Sequence, residues 1–222
     1  MTQIICLANS KKNGDRCIAG IDPQKKKWVR LIYTNSINPK DGRIPRSICL
    51  IDGREPKLLD VIDVPLDNKG EDFGFEPENL NVLPGRWYKI RKASPTELIQ
   101  FISNRYKDKY ILHNSYKYVT VPYLKSLPFK HRKTIQLVYT QKLQITGSNN
   151  SWRGSIFNDC FNKLDLDEAK ITDPEFIDKL KSGYIPHQPC LVTVGLSMPW
   201  KPSSWEEEAP CWKLIAGVIE LF

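Results

Sequence analysis

The stretch from Gln3 to Ile32, QIICLANSKKNGDRCIAGIDPQKKKWVRLI, decides the fold. Gln3–Ala8 and Arg16–Asp22 are short apolar runs and read as strands. Between them lies Asn13-Gly14, a strong hairpin signal. A second reversal, Pro23-Gln24-Lys25-Lys26-Lys27, leads into a third strand, Trp28–Ile32. The result is a three-strand meander whose loops carry Lys11, Lys12, Lys25, Lys26 and Lys27. Strand alternation puts Trp28, Arg30 and Ile32 on one face. Tryptophan and arginine on one face can stack a base and hold its phosphate, or form a structural cation–π pair.

Outward from the meander, residues 33–57 read as a long ordered loop with Pro39, Gly42, Pro45, Gly53 and Pro56. Leu58–Leu66 reads as a strand, on which Asp60 and Asp63 fall on opposite faces and cannot act as a catalytic pair. Residues 67–94 are loop-rich and end in a basic–aromatic cluster that includes Arg86 and Trp87. Ser94, Pro95 and Glu97 form a capping-box start for a helix near 95–105.

The centre of the chain, Tyr106–Lys133, interleaves tyrosines with cations and includes Tyr116, Lys117, Tyr118, Arg132 and Lys133. Such a stretch can meet phosphates by charge and bases by stacking. It can equally be a connector whose tyrosines seal neighbouring domains.

Lys133–Gly147 alternates most clearly and reads as one strand with a solvated face. The chain turns at 147–150 and returns as Trp152–Asn158, so that Lys142, Trp152 and Arg153 suggest a basic rim on a curved hairpin. Residues 159–170 are acidic, but Asp165, Asp167 and Glu168 lack the glycine of a calcium loop, so no metal site is expected. Thr172-Asp173-Pro174-Glu175 opens a helix near 174–182 that stops before Gly183. Cys190–Ser197 and Cys211–Leu221 read as closing strands. The intervening Met198–Pro210, with Trp200, Trp205 and Glu206–Glu208, reads as a solvated loop, with mimicry of a polyanion or a grip on a basic partner as alternatives.

The 222 residues carry a net charge of +8. Residues 1–153 hold 27 of the 33 Lys and Arg but only 14 of the 25 Asp and Glu, an asymmetry that suggests a polyanion partner. None of the six cysteines forms a CxxC pair, and all read as free thiols of a reducing compartment, with a disulfide between strands as the alternative. No stretch approaches the roughly 20 apolar residues of a membrane span, and the N-terminus runs directly into a strand. A cytoplasmic protein with no membrane partner is therefore expected.

Several motifs carry a family resemblance. Cys6-Leu7-Ala8-Asn9-Ser10, Gly14 and Arg16-Cys17-Ile18-Ala19-Gly20 resemble the opening of the bacterial dual OB-containing domain family. Trp28-Val29-Arg30, Leu58-Leu59-Asp60-Val61, Pro77-Glu78-Asn79, Thr172-Asp173-Pro174 and Cys211-Trp212-Lys213-Leu214-Ile215-Ala216-Gly217 are similar to further landmarks of that family. Leu31 replaces the proline usual after Trp-x-Arg. The resemblance implies an all-β chain with two short helices, folded as two tandem OB-like small β-barrels packed as one unit. The barrels would span residues 1–115 and 116–222. It brings no catalytic residues and only a loose association with prokaryotic defence.

The leading expectation is a non-catalytic module that binds nucleic acid, single-stranded or unpaired DNA or RNA. The residues expected to contribute are Lys11, Lys12, Arg16, Lys25, Lys26, Lys27, Trp28, Arg30, Arg86, Trp87, Tyr116, Lys117, Tyr118, Arg132, Lys133, Lys142, Trp152 and Arg153. The alternative is a protein-interaction adaptor for a nuclease, helicase or ATPase of the same system. An enzyme finds little support, because G-x-S-x-G, a phosphate loop and paired histidines are all absent. No cofactor is expected.

Overall fold

The computed structural model describes residues 1–34, 41–102, 109–148, 151–158 and 163–221. Cys160, Asp159, Pro39 and the Tyr106–Asp108 end of the central stretch lie outside them. The chain divides into two compact units, Met1–Gln100 and Phe101–Phe222. The second unit begins at Phe101 and so takes in residues 109–115. Ile111 and Leu112 are buried, and the Leu112 N–H donates to the Gln136 side chain, 24 residues further on.

In the first unit the strands are β1 (Thr2–Lys12), β2 (Asp15–Asp22), β3 (Lys27–Ile32), β4 (Asp60–Val64), β5 (Asn79–Asn81) and β6 (Tyr88–Lys92). Their order in the sheet is β5-β3-β2-β1-β4-β6. Asn13 and Gly14 both have positive φ, 51° and 88°, as the two-residue hairpin between β1 and β2 requires. Lys12 pairs directly with Asp15 across it. At the other end of β2 the Asp22 carboxylate accepts from the N–H groups of Gln24 and Lys25 and shapes the turn into β3.

One strand does double duty here. Thr2–Ile5 of β1 pairs with β4, and Ile5–Lys12 pairs with β2. The register slips between Cys6 and Ala8, where β1 curls. Gly20 faces that curl, and a Cβ at Gly20 would sit 2.0 Å from the Ile5 carbonyl oxygen. β5 runs parallel to β3. The chain after β4 lies antiparallel to β5, with a bridge between Leu66 and Val82. This closes a barrel in the order first, second, third, fifth, fourth, first. Ile4, Cys6, Ile18, Val29, Leu31, Ile62, Val64 and Trp87 fill it.

The second unit contains β7 (Tyr118–Val119), β8 (Ile135–Thr140), β9 (Leu143–Thr146), β10 (Arg153–Asn158), β11 (Lys163–Ile171), β12 (Cys190–Leu196) and β13 (Cys211–Glu220). Their order is β8-β12-β13-β11-β10-β9, with β7 on β13. The strand expected over Lys133–Gly147 is broken at Gln141–Lys142, because its halves serve different neighbours. β8 pairs with β12 and β9 with β10. The fully buried Thr140 hydroxyl supports this corner, lying 3.0 Å from the Lys142 and Phe157 carbonyls and 3.1 Å from the Lys142 N–H. With β8 and β9 counted as one bent first strand, the circuit is the same five-strand order, with β13 parallel to β11. That closed five-strand circuit is the OB-type barrel.

Two α-helices occur among the described residues, α1 (Val121–Ser126) and α2 (Pro174–Lys181). α2 is the helix expected near 174–182. Asp173 caps it, accepting from Phe176 N–H at 3.1 Å and from Val218 N–H of β13 at 3.2 Å. The helix expected near 95–105 is a 3-10 helix over Pro95–Phe101. Its capping box forms in part, as the Glu97 carboxylate accepts from Ser94 N–H at 2.8 Å.

Gly20→Ala is expected to lower the stability of the first unit by about 3 kcal/mol, since the added methyl meets backbone and not a movable side chain. A urea titration followed by tryptophan fluorescence reads the shifted midpoint.

Candidate nucleic-acid interface

In an OB-type barrel the oligonucleotide face lies over the second and third strands and the loops between strands one and two and strands four and five. In the first unit the strands in the corresponding positions are β2 and β3. Val29 and Leu31 enter the core, so Trp28 and Arg30 lie on the outer side. Ala19 pairs with Arg30, and Ile21 with Trp28.

Many of the expected cations here are answered by acids distant in sequence. Arg16 is buried and holds Glu55 through two 2.7 Å hydrogen bonds. Arg46 joins the same carboxylate. Arg30 meets the buried Glu76 of the loop between β4 and β5 at 3.0 Å. Lys12 pairs with Asp41 at 3.0 Å, and the exposed Arg86 pairs with Asp52. Trp87 is a correction to the expected set. It is 1% exposed within the core and presents no face to a base. Arg16 and Arg30 are held in ion pairs with half-buried and buried carboxylates.

Lys11, Lys26 and Lys27 are exposed and have no acidic partner among the described residues. Lys25 is exposed as well and lies 3.8 Å from Asp22. Lys11 is at the β1–β2 tip, and Lys25–Lys27 are at the β2–β3 turn beside half-buried Trp28. These are opposite ends of the eight-residue β2, roughly 23 Å apart at strand rise.

In the second unit the structure gathers Tyr116, Lys117 and Tyr118 with two side chains that the expectation left out, Trp205 and Trp212. Tyr116 stacks on Tyr118 with centroids 6.0 Å apart and planes 20° from parallel. Tyr118 meets Trp212 edge-on at 5.5 Å and Trp205 at 5.7 Å. The segment is held by β13, where Tyr118 pairs with Trp212 and Lys213 N–H donates to the Lys117 carbonyl. Lys117 lies 3.6 Å from Asp167, and Asp167 also accepts from Ser155 Oγ.

Beneath this ladder, Lys213 is 2% exposed. Its Nζ donates to the Asn114 carbonyl at 2.6 Å and to Asn114 Oδ1 at 3.1 Å. Burial pushes its pKa down to about 7.

The remaining expected residues are dispersed. Arg132 caps the Leu127 and Lys125 carbonyls and stacks on Phe129 at 5.3 Å. The Lys133 carbonyl accepts from His113 Nε2. Lys142 covers the Phe157 ring at 4.4 Å, beside the Thr140 corner. Arg153 is at the far end of the same hairpin, paired with Thr146 and donating to the Glu168 carbonyl. Lys142 and Arg153 therefore do not share a rim. Trp152 is half-buried next to Arg153.

The two units are equally basic, with 17 Lys and Arg against 13 Asp and Glu in Met1–Gln100, and 16 against 12 in Phe101–Phe222. The asymmetry seen along the sequence is not one between barrels.

A closed five-strand barrel of the same strand order in each half defines a tandem OB-fold protein. The chain belongs to the dual OB-containing domain family, whose model matches residues 2–218. No curated protein and no solved structure matches it.

Two outcomes follow from the paired charges. Glu55→Ala leaves Arg16 and Arg46 without their shared carboxylate and is expected to cost about 3 kcal/mol, measured as a lower urea midpoint. For Lys213, the folded protein gives up its proton near pH 7 and the unfolded chain near 10.4. The unfolded state therefore binds the extra proton between these values, and stability rises with pH from 7 upward. Lys213→Met is expected to flatten that rise between pH 7 and 9, as read by urea midpoints at each pH.

Proposed function

We propose that the protein is a non-catalytic nucleic-acid-binding module that takes single-stranded or unpaired DNA or RNA on the first barrel. The observation that carries this reading is the set of exposed cations at both ends of the β2–β3 face, with Trp28 beside the Lys25–Lys27 group. Lys11 at one tip and Lys25–Lys27 at the other hold phosphates. The span between them is about the reach of four extended nucleotides, the low end of an OB site. Trp28 supplies a ring that a base can stack on whatever its identity. Arg16, Arg30 and Trp87 keep the barrel in shape and touch no ligand. A duplex fits this arrangement less well, because its bases are already stacked on one another.

Polarisation of a labelled 15-nucleotide oligothymidylate at several salt concentrations tests the reading. Lys26→Gln with Lys27→Gln is expected to weaken binding about tenfold at low salt. The slope of log affinity against log salt should fall by about 1.4, two single-strand phosphate contacts. Trp28→Ala is expected to cost about 1–3 kcal/mol with the salt slope unchanged. Equal affinity and slope in all variants would overturn the assignment.

A further inference from the structure

We infer that the loop Met198–Pro210 of the second unit, together with the neighbouring Tyr116, is a docking surface for a basic, arginine-bearing segment of a partner protein. The loop joins the fourth and fifth strands of its barrel, β12 and β13. Its backbone is fixed. Trp200 N–H donates to the Pro210 carbonyl at 3.1 Å, and the Trp200 carbonyl accepts from Trp212 Nε1 at 2.7 Å. Trp205 N–H donates to the Pro202 carbonyl at 3.0 Å, and its ring joins the ladder with Tyr118 and Trp212.

Two large rings are left in solvent, Trp200 of this loop, 61% exposed, and Tyr116, 65% exposed and stacked on Tyr118. A tryptophan displayed on an anchored backbone adds nothing to the core, and it loses little entropy when a partner covers it.

The charge around these rings selects the partner. Glu206, Glu207 and Glu208 are all exposed, and no Lys or Arg pairs with their carboxylates among the described residues. Lys201, the nearest cation in sequence, donates to the Glu207 backbone carbonyl and not to a carboxylate. An exposed ring and unanswered carboxylates on one loop, joined by the Lys201–Glu207 contact, suit a guanidinium, which stacks on an aromatic face and takes a carboxylate in two parallel hydrogen bonds. A phosphate backbone would meet three negative charges at the same place. The second unit thus offers its rings to a cation, while the free lysines of the first offer themselves to an anion. The inference is independent of the nucleic-acid reading.

The test uses the full chain and three labelled 12-residue peptides, one arginine-rich, one lysine-rich of equal charge and one glutamate-rich. The protein as a whole is +8, so a basic peptide binds only where the local charge is reversed. The arginine peptide is expected to bind, more tightly than the lysine peptide, and the glutamate peptide is not expected to respond to changes in this loop. Glu206→Gln/Glu207→Gln/Glu208→Gln should weaken arginine-peptide binding about tenfold, and Trp200→Ala about fivefold. The same variants should hold oligothymidylate with unchanged affinity. Both changes are on exposed groups, and an unchanged urea midpoint confirms that each variant folds. Absence of arginine-peptide binding overturns the inference. So does equal binding of the arginine and lysine peptides that is indifferent to Trp200→Ala, which would mean diffuse attraction alone. Loss of oligothymidylate binding in Trp200→Ala would overturn it too, and reassign the surface to nucleic acid.

Discussion

Everything in either barrel depends on one strand having to satisfy two neighbours. A flat strand can share its two edges along its whole length. Here the first strand gives one edge to the fourth strand early and the other edge to the second strand late. The strand must therefore bend, and the bend closes the sheet and removes open edges from the circuit. The two units solve the problem with different chemistry. The first makes room for the curl with a glycine on the neighbouring strand, Gly20. The second interrupts the strand and lets the Thr140 hydroxyl occupy the backbone groups freed at the corner. Barrel interiors filled by Ile4, Ile18 and Leu31 in one case, and Leu137, Ile156 and Ile215 in the other, follow from closure.

Closure also decides which charges are available for binding. It brings loops from distant parts of the chain against Arg16 of β2 and Arg30 of β3, and these loops supply carboxylates. Glu55 and Glu76 reach Arg16 and Arg30 from 39 and 46 positions away. A guanidinium held by a buried carboxylate is a strut, because releasing it would strand a charge. Of the hairpin-tip lysines, Lys12 is met by Asp41 of such a loop, whereas Lys11, Lys26 and Lys27 have no acid among the described residues. Net charge is thus a poor guide to where an anion would bind, and the pairing pattern is a better one.

Much of the architecture was legible in the residues. Asn13-Gly14 and Asp173-Pro174 announce their turn and cap through local backbone chemistry, and both stand where expected. The strands on either side of them carry clear apolar runs. β11 was hidden because its solvent side is acidic, so Leu164, Leu166, Ala169 and Ile171 read as an acidic segment rather than as a strand. β5 is three residues long and has no periodicity to detect. Trp87 stood among arginines and lysines and looked like a surface ring, although it plugs the first barrel. The ladder of Tyr116, Tyr118, Trp205 and Trp212 was only half visible. Alternation along β13 turns Trp212 outward, but its meeting with Tyr118 depends on a two-strand pairing across more than ninety residues, which no local pattern encodes.

The five described cysteines are free. Burial, with Glu55 nearby, drives the Cys49 thiol up to about 11, and burial with Glu220 nearby drives Cys190 up to about 12. Thiolates at these positions are scarce at neutral pH, so alkylating reagents meet almost no nucleophile there while the barrels stay closed. Cys49 lies in the first unit, with Cys17 also raised by burial there, and Cys190 lies in the second. The chain thereby carries a built-in chemical clock for each barrel, and the order in which Cys49 and Cys190 become labelled reports which half opens first.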